Sequence, residues 1–319
     1  MPWLPFSRAL LALLQGARLL LPWLTVTGFS DVRFFAPPLL PPGITRECRV
    51  TARAQPWIIH DGAMTRMCRV ALSVRELAAN GRHTDSFAPV AEGMALLAAG
   101  PREAPPLAPL PPLPGDGGRA AGADLALEPL YARLGFGPAW RLVSRMRPVR
   151  DGAAGDVLAV HSGQLGAGIP KTGILGTGIP GTGIPGAAEV SGLPGTCPVA
   201  PRADWVYTDA LRLTAAAMES ALLILEQEAG HAAAPSAGRP AWRCGGVGFL
   251  RFGAVPRSGA PARQDGGAGT PRGGTFALEV RRTWDDGSRV RFDTQVSGAD
   301  GAVPLTLHHL EFERSDGAP

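Results

Sequence analysis

Residues 204–226 constrain the fold more than any other stretch of this sequence. Apolar residues recur there at spacings of three and four, and good helix formers fill the positions between them. The residues of this stripe are Leu211, Ala215, Met218, Leu222 and Leu225. The pattern predicts an amphipathic helix of about six turns.

Asp209 lies in the first turn of this predicted helix. The helix dipole favours a carboxylate at that position, so one interpretation of Asp209 is an ordinary N-terminal cap. The segments that surround the helix keep a functional role for Asp209 open as a second interpretation.

Four strands are predicted after this helix, and turn residues separate the last three. The strands cover residues 247–252, 275–283, 289–297 and 303–314. Asp-Asp-Gly-Ser at 285–288 and Gly-Ala-Asp-Gly at 298–301 supply the turns. One long helix is therefore followed by an antiparallel meander.

The first hundred residues repeat this order of elements. A wide apolar stripe over residues 6–21 predicts a helix, which Pro22 ends. Strands are predicted at 29–35, 46–54, 64–74 and 86–97. The repetition predicts two similar α+β modules, each with a curved antiparallel sheet around its own helix.

Glycine and proline mark the regions outside these elements. The 319 residues include 42 glycines and 32 prolines, which exceeds the usual share in globular proteins. We expect an N-terminal module at 1–99, a Pro/Gly-rich linker at 100–123 and a C-terminal module at 124–319.

The C-terminal module is predicted to begin with a short helix at 125–134, followed by a hairpin of 140–150 with 157–160. A low-complexity insert at 163–200 follows the hairpin. Residues 167–186 of this insert are four pentapeptides, which are too short to form structural repeat units.

The composition argues against several classes of function. The formal net charge is only +4, and the arginines form no basic and aromatic stripe, so we expect no nucleic-acid binding. The four cysteines lack metal-ligand spacing, and we expect reduced, mostly buried thiols in a cytoplasmic protein without a metal site; they are Cys48, Cys68, Cys197 and Cys244. The sequence has no Gly-x-Ser-x-Gly elbow and no nucleotide-binding glycine motif after a strand.

The apolar N-terminal residues 3–24 allow a second interpretation, a signal peptide or a membrane anchor. Arg8, Gln15 and Arg18 interrupt this stretch, no basic segment precedes it and no small-residue cleavage site follows it. An amphipathic helix packed in a protein core explains the stretch better, and we expect no membrane association.

Residues 130–140 read Leu-Tyr-Ala-Arg-Leu-Gly-Phe-Gly-Pro-Ala-Trp. They resemble the segment of polyketide synthase dehydratase domains in which a tyrosine-containing helix precedes Leu-Gly, an aromatic residue and Gly-Pro-x-Phe. Residues 29–35 with 41–43 resemble the strand after the family's first helix, and residues 289–293 with 298–301 resemble its closing hairpin. The resemblance covers most of the chain and implies a double hotdog fold of the α+β class.

The resemblance also implies a reaction. In that family a histidine of the first hotdog removes the α-proton of a 3-hydroxyacyl thioester, and an aspartic acid at the start of the second hotdog helix protonates the departing hydroxyl. Asp209 stands at the position of that acid. The implied substrate-binding residues are Phe136, Gly137, Pro138, Trp140 and Leu213.

The same resemblance implies the partners of the protein. The substrate would be carried on the phosphopantetheine of an acyl carrier protein, and no cofactor or metal is expected beyond it. Other synthase components and a second copy in a homodimer are the further expected partners.

The sequence departs from the family pattern in two places. Leu213 stands four residues after Asp209, where the family has Gln or His, and an alternative register places Thr214 or Ala215 at the position of the acid. The family's His-x-x-x-Gly-x-x-x-x-Pro motif would end at Pro2, which places its histidine before Met1.

We assign no base to the histidines of this chain, which we expect to be structural or surface residues; they are His60, in a predicted loop, His83, His161, His231, His308 and His309. Two hypotheses follow. The first is a hydro-lyase in which Asp209 is the acid, and the second is a non-catalytic double hotdog that binds an acyl chain or stabilises a synthase assembly.

Overall fold

In the part of the chain that the structure describes, three helices and eleven strands follow one another, in the order that the sequence predicts for most of them. The computed structural model describes residues 6–35, 45–60, 63–77, 86–99, 124–134, 141–149, 152–157, 187–191, 204–232, 242–253, 276–298 and 301–314. In chain order the elements are α1 (Phe6–Leu20), β1 (Leu24–Phe34), β2 (Thr45–His60), β3 (Ala63–Leu77), β4 (Ala88–Ala99), α2 (Leu127–Leu134), β5 (Val143–Val149), β6 (Gly152–Val157), β7 (Ala187–Ser191), α3 (Asp204–Ala232), β8 (Trp242–Phe252), β9 (Phe276–Asp285), β10 (Arg289–Ser297) and β11 (Leu305–Arg314).

The chain divides into two compact units. The first unit consists of Met1–Glu103, Gly168–Asp204 and Gly245–Arg251. The second unit consists of Ala104–Ala167, Trp205–Cys244 and Phe252–Pro319. Each unit contains one long helix and an antiparallel sheet, which is the repeated arrangement that the order of elements predicts.

The first unit is a sheet whose strands follow the order β8, β1, β4, β3, β2, β7, with every neighbouring pair antiparallel. Helix α1 contacts strands β1 to β4. The predicted apolar stripe of this helix is confirmed, because Leu10, Leu13, Leu14 and Ala17 are fully buried. Burial of this stripe attaches the helix to the sheet. Within the described residues we find no helix with the length and apolar character needed to span a membrane.

Gly16 allows α1 to lie close against β2. A Cβ atom added at Gly16 would lie 2.5 Å from Cγ1 of Val50 and 3.9 Å from the Cβ of Ala52. Side-chain atoms do not approach one another as closely as 2.5 Å, so any larger residue would push the helix away from the strand.

The second unit has its strands in the order β5, β6, β9, β10, β11, again antiparallel throughout. The predicted turn between β9 and β10 is confirmed. The Asp286 carboxylate accepts the backbone N–H of Ser288 at 2.9 Å and that of Arg289 at 2.7 Å. Gly287 has a φ of 86°, a left-handed conformation that glycine adopts without steric cost.

The predicted hairpin in the second unit is present, but its second strand was placed too late in the sequence. Strand β6 covers Gly152–Val157 rather than residues 157–160. Its residues Gly-Ala-Ala-Gly have little intrinsic preference for a strand. Pairing with β5 on one side and β9 on the other imposes the extended conformation.

Helix α3 is longer and more deeply buried than the sequence indicated. It spans 29 residues, and nearly all of its side chains from Ala210 to Glu226 are buried. The expectation of an amphipathic helix is therefore wrong. The positions between the apolar stripe carry further apolar or small side chains that are also buried: Leu213, Leu223, Ile224, Ala216, Ala217, Ala221, Thr214 and Ser220.

Two further differences concern the first unit. His60 was expected in a loop, but β2 continues to His60 because its pairing with β3 resumes after an irregularity between Ala54 and Trp57. Strand β7 lies within the expected insert 163–200 and pairs with residues 49–53 of β2. The pentapeptides at 167–186 and the linker at 100–123 lie outside the described residues, and the module boundaries remain predictions.

The close approach at Gly16 predicts the effect of adding one methyl group. We expect Gly16→Ala to lower the free energy of unfolding by about 1 to 2 kcal/mol, because overpacking against Val50 exceeds the gain in helix propensity. Urea denaturation of the variant and the wild type measures this difference. In the Val50→Ala background the same substitution is expected to cost less, and an equal cost in both backgrounds would contradict the explanation.

Candidate functional site

Helix α3 carries the predicted acid. Because the helix begins at Asp204, Asp209 lies in its second turn rather than in the first, and the interaction with the helix dipole is correspondingly weaker. Ala210, Leu211 and Leu213 follow it and are buried, with 2%, 5% and 4% of their surface exposed. The side chain of Asp209 itself lies outside the described part of the structure.

The position four residues after Asp209 carries an apolar side chain. Leu213, predicted to contact substrate, is buried at the position where the resemblance expects Gln or His. The hydroxyl of Thr214, the residue of the alternative register, donates to the Ala210 carbonyl oxygen at 2.8 Å. This bond within the helix satisfies the Thr214 hydroxyl in an apolar environment.

The other predicted substrate-binding residues fall between α2 and β5. Phe136, Gly137, Pro138 and Trp140 lie outside the described residues, so their role remains a prediction. The elements on either side of them, which end at Leu134 and begin at Arg141, are described.

A polar cluster that the sequence did not predict lies at the middle of α3. The Oε1 atom of Glu219 accepts a hydrogen bond from the Tyr131 hydroxyl of α2. The same oxygen accepts the Leu142 N–H at 3.1 Å and the Val143 N–H at 3.4 Å, at the start of β5. One carboxylate oxygen therefore joins α3 to both α2 and β5.

Burial dominates the electrostatics of this cluster. Glu219 is 6% exposed, and burial raises the pKa of its carboxyl to about 7, although the hydrogen bonds from Tyr131, Leu142 and Val143 act in the opposite direction. Burial, followed by the neighbouring Glu219 carboxylate, raises the pKa of the Tyr131 hydroxyl well above its ordinary value. Tyr131 is therefore protonated at neutral pH and donates its proton, as the geometry requires.

Polar contacts at the ends of α2 support the same arrangement. The Arg133 guanidinium donates to the Glu226 carbonyl oxygen of α3 at 2.7 Å. Arg141 pairs with Glu128 at 2.7 Å and lies 5.6 Å from the centre of the Tyr131 ring. The short helix α2 is thus held to α3 and β5 by hydrogen bonds as well as by packing.

The sequence contained an indication that Glu219 is a buried polar residue. It is the one acidic residue in the run 210–225, which is otherwise mostly apolar. A carboxylate in the interior of an apolar helix requires a hydrogen-bonding partner from elsewhere in the fold. The sequence could have identified Glu219 as a buried polar residue, but not its partners, which lie 77 and 88 residues away.

The described histidines occupy structural surroundings. The His60 ring lies 5.6 Å from the ring of Phe249. The Nδ1 atom of His308 lies 3.2 Å from the Asp293 carboxylate, whose other oxygen accepts the His309 N–H at 2.9 Å. Burial raises the pKa of Asp293, but these hydrogen bonds outweigh burial and hold it below its ordinary value.

The cysteines belong to no metal-binding group in the described part of the chain. Cys68 and Cys244 are buried free thiols, and burial raises the pKa of Cys68 to about 11, which keeps it unreactive. Cys48 is half-buried, and Cys197 lies outside the described residues. The described residues contain no group of three or more His, Cys, Asp or Glu side chains that could hold a metal ion.

A cavity of about 250 Å³ lies in the first unit. Its lining consists of Asp31, Arg33, Arg69, Glu92, Gly93 and Met94. Arg69 and Glu92 form an ion pair at 3.3 Å within it. Because a site for an acyl chain needs apolar walls, this charged cavity is a poor candidate for one.

No protein family model and no curated protein matches this sequence. Several solved structures are similar to nearly the whole chain. A bifunctional dehydratase-cyclase domain in ambruticin biosynthesis is 16% identical, with a TM-score of 0.53, over 98% of this chain and 82% of that chain. An isomerase-inactive variant of GphF DH1 is 14% identical, with a TM-score of 0.50, over 99% of this chain and 84% of that chain.

The dehydratase domain from the CurH module of the curacin polyketide synthase is similar in structure to this chain to the same degree. It is 14% identical, with a TM-score of 0.50, over 98% of this chain and 84% of that chain. At these identities the likeness establishes the fold and not the activity. The predicted α+β double hotdog is confirmed, as is the resemblance to dehydratase domains at the level of fold.

The raised pKa of Glu219 predicts how stability depends on pH. The protonated carboxyl stabilises the fold fully below its unfolded-state pKa of 4.5, and this stabilisation is lost as pH rises towards about 7. We expect a loss of about 3 kcal/mol in the free energy of unfolding over this interval, which Glu219→Gln abolishes. Urea denaturation at a series of pH values measures both curves.

The exposed Glu228 provides a matched control on the same helix. Its carboxylate pairs with Arg282 at 2.6 Å near the protein surface. We expect Glu228→Gln to leave the pH dependence of the wild type in place. If the free energies of unfolding of Glu219→Gln and the wild type differed by the same amount at all pH values, Glu219 would not titrate in this way.

Proposed function

We propose that this protein is a dehydratase that removes water from a 3-hydroxyacyl thioester to give the 2-enoyl thioester. The substrate is carried on the phosphopantetheine of an acyl carrier protein, and Asp209 is the acid that protonates the departing hydroxyl. The protein acts in the cytoplasm with the carrier protein and other synthase components, and it requires no cofactor of its own.

One observation carries this proposal, the position of Asp209 on the buried helix of the second unit. Ala210, Leu211 and Leu213 after it are apolar and buried, and Arg212 among them is half-buried. Apolar surroundings favour the neutral form of a carboxylic acid, which is the state from which a general acid donates its proton. The likeness in fold to dehydratase domains supports the assignment of Asp209 to this role.

The base and the substrate contacts are the remaining roles in this reaction. The α-proton is taken by a base to which we assign no residue. Among the described histidines, the His60 ring lies near the Phe249 ring and the His308 ring lies beside Asp293. Phe136, Gly137, Pro138, Trp140 and Leu213 contact the acyl chain. The electrons of the broken Cα–H bond form the double bond as the hydroxyl leaves with the proton of Asp209.

A second candidate function is a non-catalytic double hotdog that binds an acyl chain. The observation that favours it is the apolar residue at the position where the family has Gln or His. Leu213 is buried at the position of the expected orienting residue, and the Thr214 hydroxyl is bonded within the helix. An acid that lacks the orienting residue expected at position 213 donates its proton less effectively.

Turnover of a 3-hydroxyacyl pantetheine thioester separates these candidates. Loss of water is followed by mass spectrometry for the wild type, Asp209→Asn and the control Glu228→Gln. We expect Asp209→Asn to reduce kcat by roughly 10²- to 10⁴-fold, because the amide cannot donate the required proton. The control variant is expected to retain wild-type turnover.

The outcomes are distinct. A wild type that dehydrates the thioester while Asp209→Asn does not would establish the acid. Equal turnover by both proteins would exclude Asp209 as the acid. A wild type that binds the thioester in calorimetry without turnover would favour the acyl-binding protein, and neither binding nor turnover would overturn both candidates.

A further inference from the structure

The charged cavity of the first unit contains two side chains whose charges are not paired. Arg69 and Glu92 on its wall form an ion pair with each other at 3.3 Å. Asp31 and Arg33 also line the cavity, and both are exposed to solvent. In the part of the chain that the structure describes, the side chains of Asp31 and Arg33 form no hydrogen bond or ion pair, either with each other or with another residue.

The backbone of β1 is irregular at this point. The pairing of β1 with β4 shifts between Ser30 and Arg33, so that two residues of β1 lie opposite Gly93 of β4. Asp31 is one of these two, and its φ of 52° lies in the left-handed region. Glycine fits such a position of a β-bulge without steric cost, whereas a residue with a Cβ atom is disfavoured there. The strand therefore has an aspartate where glycine would be the less strained choice.

A second left-handed residue shows how such a conformation can be supported within the protein. His309 has a φ of 54°, and its backbone N–H donates to the Asp293 carboxylate at 2.9 Å. The Asp31 carboxylate has no comparable hydrogen bond among the described residues. A local contact thus accounts for the conformation of His309, while the carboxylate of Asp31 stays available to a ligand.

We propose that this cavity binds a small zwitterion, an α-amino acid. The Arg33 guanidinium binds the carboxylate of the amino acid, for which the planar guanidinium can supply two parallel hydrogen bonds. The Asp31 carboxylate accepts hydrogen bonds from the ammonium group. This binding is independent of the proposed dehydration.

The charges of the cavity favour a zwitterion over a simple anion or cation. The carboxylates of Asp31 and Glu92 repel an anion, and the guanidinium groups of Arg33 and Arg69 repel a cation. A ligand with both charges meets an opposite charge for each of them. Because an α-amino acid has its two charges on one carbon atom, it can lie between two side chains that do not reach each other.

The size of the cavity agrees with such a ligand. Its volume of about 250 Å³ is several times the share of one water molecule in the liquid, about 30 Å³. Met94 adds an apolar part to the wall, which the side chain of an amino acid can contact.

The test measures binding of the twenty proteinogenic L-amino acids to the full chain by calorimetry. We expect at least one of them to bind with a Kd of about 1 mM, because ion pairs between exposed groups are weak. The tightest binder is then compared with two analogues, the acid that lacks its amino group and the amine that lacks its carboxyl group. Each analogue is expected to bind about tenfold more weakly. If none of the twenty binds at concentrations up to about 20 mM, the inference is overturned.

Charge-removing variants assign the two contacts. We expect Arg33→Gln and Asp31→Asn each to raise the Kd of the amino acid about tenfold. In Asp31→Asn the amino acid and the analogue without its amino group are expected to bind equally, because the group that distinguishes them is gone. The control Arg243→Gln removes another exposed arginine, which pairs with Glu313 at 2.7 Å, and is expected to keep the wild-type Kd. A Kd within about twofold of the wild type in both Arg33→Gln and Asp31→Asn would overturn the inference.

Asp31→Gly separates a role in binding from a role in the fold. Glycine adopts the left-handed conformation without steric cost, so we expect a urea midpoint no lower than that of the wild type. The Kd of the amino acid is expected to rise about tenfold, as in Asp31→Asn. A lower midpoint together with an unchanged Kd would show that Asp31 serves the fold, and would overturn the inference. Because no thioester is present in these measurements, their outcome is separate from that of the dehydration assay.

Discussion

The second unit depends on how a deeply buried helix satisfies its polar groups. Helix α3 has almost no solvent-facing side between Ala210 and Glu226, so each polar atom there must find a partner within the protein. Thr214 and Ser220 donate to carbonyl oxygens one turn earlier in the helix. Glu219 cannot do so as a carboxylate, because it only accepts, and the donors of α2 and β5 supply what it lacks.

This difference separates the two units, which otherwise share the same order of elements. Helix α1 buries a one-sided stripe of apolar residues, and its close contact with β2 requires only the absence of a side chain at Gly16. Helix α3 is buried on all sides and contains a carboxyl group whose pKa is shifted towards neutrality. The order of elements is repeated, but a buried carboxyl group with a pKa raised towards neutrality is described in α3 and not in α1.

Much of the fold could be predicted because local patterns determine it. Turn residues such as Gly287 and the helix end at Pro22 identify boundaries, and the apolar periodicities identify α1, α3 and most strands. Three features could not be predicted from local patterns. Alanine does not reveal whether it faces solvent or a core, the Gly-Ala-Ala-Gly of β6 becomes a strand only through its neighbours, and β2 continues beyond its irregularity only because β3 pairs with it.

The candidate site divides in the same way. Asp209 and the segment around Gly137 were predicted as site residues because motifs of adjacent residues can be recognised in the sequence itself. The cluster of Glu219 combines residues separated by 77 and 88 positions, and no local pattern records such a contact. The fold determines which groups lie near a buried carboxyl. The sequence can therefore identify Glu219 as a residue that needs hydrogen-bond donors, but only the structure identifies α2 and β5 as the elements that supply them.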